Sequence, residues 1–174
     1  MKSFLSMYGN LLKVITNIVG VIAGILILAC GLMIVYEVIC RSVFNAPTEW
    51  VMELATYCVT IAGFLGMGVA YAGRKHIQVD ILLSKLSEKT KVYLGVITTL
   101  AGAFYALIFF WQGLNMVTIS FTMNNLAATT LSTPLWIPQS SMPIGMLLLF
   151  LHLVHSFLTN VYKVATGDFG EEGK

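Results

Sequence analysis

From Val92 to Tyr162 the chain contains no Asp, Glu, Lys or Arg. Seventy-one consecutive residues without a formal charge cannot wall a small water-soluble domain, whose surface needs charged side chains. The run is also too long for one membrane crossing, since about 20 apolar residues span the hydrocarbon as a helix. It must therefore be divided. The stretch MNNLAATTLSTPLWIPQSSMP, 123–143, divides it, because paired Asn, a Ser/Thr cluster and three prolines mark a break. Composition agrees with a bilayer solvent. Charged residues are 10% and hydrophobic residues 57% of the 174, against roughly 25% and 45–50% in soluble globular proteins.

Two further uncharged runs, 14–36 and 54–72, are each long enough to cross. The expected fold is an all-α membrane protein of four transmembrane helices at about 14–38, 50–72, 92–120 and 138–161. Together they form a single membrane domain over 1–174, with a connection at 73–91 and a loop at 121–137. Lys2 and Lys13 precede the first apolar run, and ILAC at 27–30 faintly resembles a lipoprotein cleavage motif. A cleavable core is only about 7–15 residues, however, and this run continues through Tyr36 with bulky Leu28 where a small residue is preferred. The first span is read as retained.

Four spans place both termini and residues 73–91 on one side, which then holds nine of the ten Lys and Arg. Only Arg41 lies across. Because Lys and Arg accumulate in cytoplasmic loops, that side is expected to be cytoplasmic, N-in and C-in. The connection GRKHIQVDILLSKLSEKTK, 73–91, also has internal order. Val79, Leu82, Leu83 and Leu86 recur at helical spacing, and Asp80 can cap their start, which predicts a short amphipathic helix on the membrane surface. Ser87 and Glu88 then read as the cap and first turn of the third helix. A net charge of +2 without interleaved aromatics gives no basis for nucleic-acid binding; the contacts expected are membrane lipids and other membrane chains.

Small residues recur on two helical faces: Gly20, Gly24 and Gly31 in the first span, and Ala62, Gly66 and Ala70 in the second. Such faces let backbones approach closely in lipid, so both are expected to be packing seams, within the chain or against a partner. Glu37 and Arg41 are i, i+4, and Glu49 and Glu53 flank the start of the second span. They are expected to form an ion-pair cluster clamping that hairpin. A coupling role for Glu37 or Glu53 is the alternative, disfavoured by their position near span ends.

His152 and His155 sit one turn apart on one helix, with His76 at the membrane edge. That arrangement does not offer a haem two axial ligands from facing helices. Cys30, Cys40 and Cys58 are odd in number with no C-x-x-C, and read as small packing residues. No nucleophile–base arrangement, phosphate loop or metal spacing is present, so the chain is expected not to be an enzyme and to need no cofactor or metal. Nor is there an interrupted helix pair with internal repeats, the usual sign of a transporter's own binding site. Four such helices suggest a component of something larger.

The segment RSVFNAPTEWVME, with Arg41, Phe44, Asn45, Pro47, Trp50 and Glu53, resembles the signature of the small membrane subunit of TRAP (tripartite ATP-independent periplasmic) transporters. The resemblance continues through FLGMGVAYAGRKHIQVDIL, with Gly66, Ala70, Arg74, His76, Val79 and Asp80. It resumes at STPLWIPQSSMPIG, with Thr133, Pro134, Trp136, Pro138, Pro143 and Gly145, and so covers roughly 35–160. One departure is VTIAGFLG, where members often carry an aromatic, frequently Trp, before LG. The resemblance implies residence in the bacterial inner membrane beside a large polytopic subunit that binds substrate and sodium. It also implies a soluble periplasmic binding protein that delivers an organic acid such as sialic acid or a dicarboxylate. This chain would then be a scaffold, with the matched residues structural or at partner interfaces. Two other readings remain: a haem-bearing membrane anchor of an oxidoreductase, and a self-sufficient four-helix exporter.

Overall fold

The computed structural model describes residues 2–73 and 88–166. Five helices are present among them: α1 (Lys2–Val43), α2 (Glu49–Gly73), α3 (Glu88–Thr122), the single-turn α4 (Trp136–Gln139) and α5 (Ser141–Thr166). Four segments are long and apolar enough to cross a membrane: Met7–Val43, Glu49–Gly73, Val92–Thr122 and Trp136–Tyr162. The architecture is therefore an all-α, four-span protein. At 42 residues α1 is about 63 Å long, twice a hydrocarbon core of about 30 Å, so it begins well before residue 14. Arg74, His76 and Asp80, and the surface helix expected around them, lie outside the described residues.

Helix ends are set by local chemistry. Asn45 has φ 53°, a left-handed conformation that Asn tolerates better than most residues. It turns the chain so that the Ala46 N–H reaches back to the Cys40 carbonyl at 3.1 Å. Asn124, with φ 51°, does the same for α3. Its N–H meets the Phe121 carbonyl at 3.2 Å and the Asn125 N–H meets Ser120 at 3.0 Å, a Schellman closure. Residues 125–135 then double back on themselves. The Ala127 N–H donates to Thr133 and the Leu135 N–H to Asn125, at 2.9 and 3.0 Å, with Ser132 left-handed at the turn. The polar, proline-bearing break is thus an ordered loop.

The helices pack in the order α1, α2, α5, α3, and α1 also touches α5. Val51, Ala55 and Ala62 of α2, Met146, Leu148 and Leu153 of α5, and Ala106 of α3 are buried along these seams. Backbone approaches closely at three glycines. A side chain at Gly145 would overlap the Phe64 carbonyl of α2, one at Gly68 would lie 2.7 Å from Leu148, and one at Gly113 would lie 3.0 Å from Pro143. Outside the seams, α1 and α3 present bulky apolar residues such as Val21, Leu28, Ile97 and Phe104, each more than 60% exposed. Exposed threonines on the spans return their hydroxyl protons to carbonyls one turn back: Thr60 to Thr56, Thr98 to Leu94 and Thr118 to Leu114, at 2.8–2.9 Å. Satisfied internally, they can face hydrocarbon without an orphaned donor.

Candidate functional site

Polar chemistry gathers at both ends of the bundle. At the rim where α1 turns into α2, three carboxylates are each held by a hydroxyl donor. The backbone N–H of Thr48 donates to Glu37 Oε2 at 2.9 Å, and the Thr48 hydroxyl donates to the same oxygen. The Thr130 hydroxyl donates to Glu49 at 2.6 Å across 81 residues of sequence. Glu53 is buried; the Tyr57 hydroxyl donates to it at 2.7 Å, and Thr129, Leu131 and Thr133 of the loop stand close enough to favour its carboxylate.

The expected ion-pair cluster of Glu37, Arg41, Glu49 and Glu53 is therefore replaced. Arg41 is exposed in the last turn of α1 and reaches Glu37 only through space. The physical reason is local. Thr48 supplies two short donors without ordering a long side chain, which a guanidinium one turn away must do. Glu49 and Glu53 in turn tie the 125–135 loop onto α2. The rim is clamped by neutral donors.

The other residues singled out around the break are close to this clamp. Asn45 and Pro47 form the exposed corner, and Trp50 packs on Tyr36 with ring centroids 6.1 Å apart. Pro134 pairs with Leu126 in the loop. Trp136 meets Phe121 edge-on at 5.7 Å, joining α4 to α3. Pro138 is buried, and the Ser141 hydroxyl donates to its carbonyl at 2.7 Å. Pro143 fits against Gly113, and Gly145 against Phe64. Thr48, Thr129, Thr130 and Tyr57 were not singled out by sequence; hydroxyls on loops carry no periodic signal.

The expected small-residue seams are only partly used inside the chain. Ala62 is buried and Gly20 lies against Val69, but a side chain at Gly24, Gly31 or Gly66 would meet nothing within 4 Å, and Ala70 is exposed. Within the chain α2 is approached at Gly68 instead. Residues 66 and 68 lie about 200° apart around a helix, so the Gly66–Ala70 face points away from α5.

At the opposite end His152 is buried between helices, its Nε2 2.6 Å from the Thr16 hydroxyl of α1 and its ring 6.3 Å from Tyr71 of α2. Tyr8 donates to the Leu151 carbonyl at 3.2 Å and packs beside His155, which also fills the space over Gly9. These contacts lash the first half of α1 to α5. Among the described residues no group of three His, Cys, Asp or Glu is arranged to hold a metal ion.

Comparison with known proteins places this geometry. Over 82 residues the chain is 28% identical to the sialic acid TRAP transporter permease protein SiaT of Haemophilus influenzae (strain 86-028NP). That match takes in 47% of this chain and only 13% of the relative's length. Residues 30–162 match the family described as the DctQ component of tripartite ATP-independent periplasmic transporters. That range runs from the middle of α1 through the rim clamp and nearly to the end of α5. A transporter component rather than an enzyme, this four-span chain belongs to the DctQ family of the tripartite ATP-independent periplasmic transporters.

Proposed function

We propose that the chain is the small scaffold subunit of such a transporter in the bacterial inner membrane. It braces a large polytopic, sodium-coupled subunit for uptake of an organic acid delivered by a soluble periplasmic binding protein. The observation that carries this reading is the proportion of the match to SiaT. The matched region makes up 13% of that permease, so there a segment like this one belongs to a much larger chain. The remainder of such a permease corresponds to the large membrane subunit that this chain would brace.

Three further features support the reading. The Gly24, Gly31 and Gly66 positions leave small-residue surface open on α1 and α2, suited to close approach by another helix. The uncharged 123–143 segment, pinned to α2 by the Thr130–Glu49 hydrogen bond, offers the large subunit or the docked binding protein an ordered apolar rim with Met123, Leu126 and Ile137 exposed. Nine of ten Lys and Arg on one side put the termini in the cytoplasm, with Arg74, His76 and Asp80 in the cytoplasmic connection. Arg41, Asn45, Pro47 and Trp50 then lie at the periplasmic corner.

The test is uptake into proteoliposomes. With the large subunit, the binding protein and a sodium gradient, organic acid accumulates, and omission of this chain lowers the rate. Transport by this chain alone would instead support the exporter reading with Glu37 or Glu53 as coupling carboxylate. A Soret band in the purified chain would support the haem anchor.

A further inference from the structure

Two hollows open on one face of the α1–α2 hairpin and share Met52 and Thr56. The one at the rim, about 580 Å³, is lined by Glu49, Met52, Glu53, Thr56, Thr129 and Thr130. The deeper one, about 270 Å³, continues over Cys30, Ile34, Ala55, Val59 and Thr60. Together they make one groove. From Glu49 to Thr60 it runs about 16 Å along α2, roughly half of a hydrocarbon core of about 30 Å and therefore one leaflet deep.

The groove changes character along its length. Its mouth carries two carboxylates and threonine hydroxyls, and among the described residues no Lys or Arg lines it. Arg41 is the only Lys or Arg between Lys13 and Arg74. Glu49 remains exposed while accepting from Thr130. Deeper in, the Thr56 and Thr60 hydroxyls are bonded to the Met52 and Thr56 carbonyls at 2.8 Å, so that wall is apolar in effect.

A ligand matching both ends must join a cation to a hydrocarbon chain about one leaflet long. A calcium-type ion prefers six to eight oxygens, and two carboxylates already held by hydroxyls fall short of that. A soluble amine would leave the apolar length unfilled.

We propose that the groove binds one phospholipid with a primary-ammonium headgroup, its ammonium at Glu49 and Thr130 and one acyl chain along Met52, Ala55, Val59 and Ile34. A primary ammonium supplies three donors for the carboxylate and hydroxyl oxygens at the mouth, which a quaternary ammonium cannot. Binding of this lipid does not depend on any protein partner.

The experiment is native mass spectrometry of the full chain in delipidating detergent, titrated with phosphatidylethanolamine, phosphatidylcholine and phosphatidylglycerol of identical acyl chains. Phosphatidylethanolamine is expected to bind about five- to tenfold more tightly than the other two, the scale of one partly screened ammonium–carboxylate contact. Glu49→Gln should bring the three lipids to parity without abolishing binding. Val59→Trp, a substitution at a half-exposed position, should weaken all three, with unchanged far-UV circular dichroism showing that the helices persist. Equal binding of the three headgroups by the parent chain, or a preference that survives Glu49→Gln, would overturn the proposal. So would loss of the bound lipid on co-purification with a membrane partner, which would assign the groove to a protein helix.

Discussion

Replacing Gly145 by Ala tests whether the α2–α5 seam holds the bundle together. The added methyl would overlap the carbonyl of Phe64 and lie 3.2 Å from the Leu65 nitrogen. Those atoms belong to the backbone of a helix packed on both sides, so no side-chain rotation relieves the overlap, and α5 must draw away from α2. Overpacking a core by a methyl or more costs about 1–3 kcal/mol, and an unyielding backbone neighbour puts this site at the upper end. About 3 kcal/mol corresponds to roughly a hundredfold in the folding equilibrium constant. Gly66→Ala is the internal control, because a side chain there meets nothing within 4 Å; its effect should stay within about 0.5 kcal/mol. Both variants of the isolated chain would be unfolded reversibly in mixed micelles of rising SDS fraction, followed by tryptophan fluorescence and circular dichroism. Equal midpoints for Gly145→Ala and Gly66→Ala would refute the assignment of the seam.

Other outcomes follow from the same contacts. Thr16→Val removes the hydroxyl 2.6 Å from the buried His152 ring and should destabilise the chain by about 1–3 kcal/mol in the same unfolding assay. Glu53→Gln should loosen the 125–135 loop, read as faster thiol labelling of a cysteine placed at Leu131, whereas Arg41→Ala should leave that labelling unchanged. Gly66→Leu should leave the isolated chain as stable as the parent, since a side chain there meets nothing within 4 Å, yet reduce recovery of a large membrane partner if the proposed interface uses that face.

The fold was legible in the sequence because lipid imposes it. Long uncharged runs admit few structures other than spanning helices, and the MNN and STP stretches that divide them are rich in breaking residues. Helix closure was half legible. Asn45 and Asn124 stand where left-handed residues are needed, but their roles depend on neighbours that accept the returning N–H groups. The seam was harder to read. The i, i+4 spacing of Ala62, Gly66 and Ala70 marks a face on which close approach is permitted, while the choice of Gly68 depends on Gly145 and Leu148, some 80 residues away in sequence. For the rim, the i, i+4 charges of Glu37 and Arg41 suggested a local pair. The donors that prevail come from the α1–α2 corner and the distant 125–135 loop, where hydroxyls leave no periodic trace.

Affinity purification of the tagged chain in mild detergent from membranes that also contain the large subunit is the most direct test of a scaffold role. The large subunit is expected to be retained through size-exclusion chromatography in a fixed ratio to this chain, with Gly66→Leu lowering the retention. A chain that elutes alone under those conditions, while its membranes still take up the organic acid at the full rate after its deletion, would contradict it.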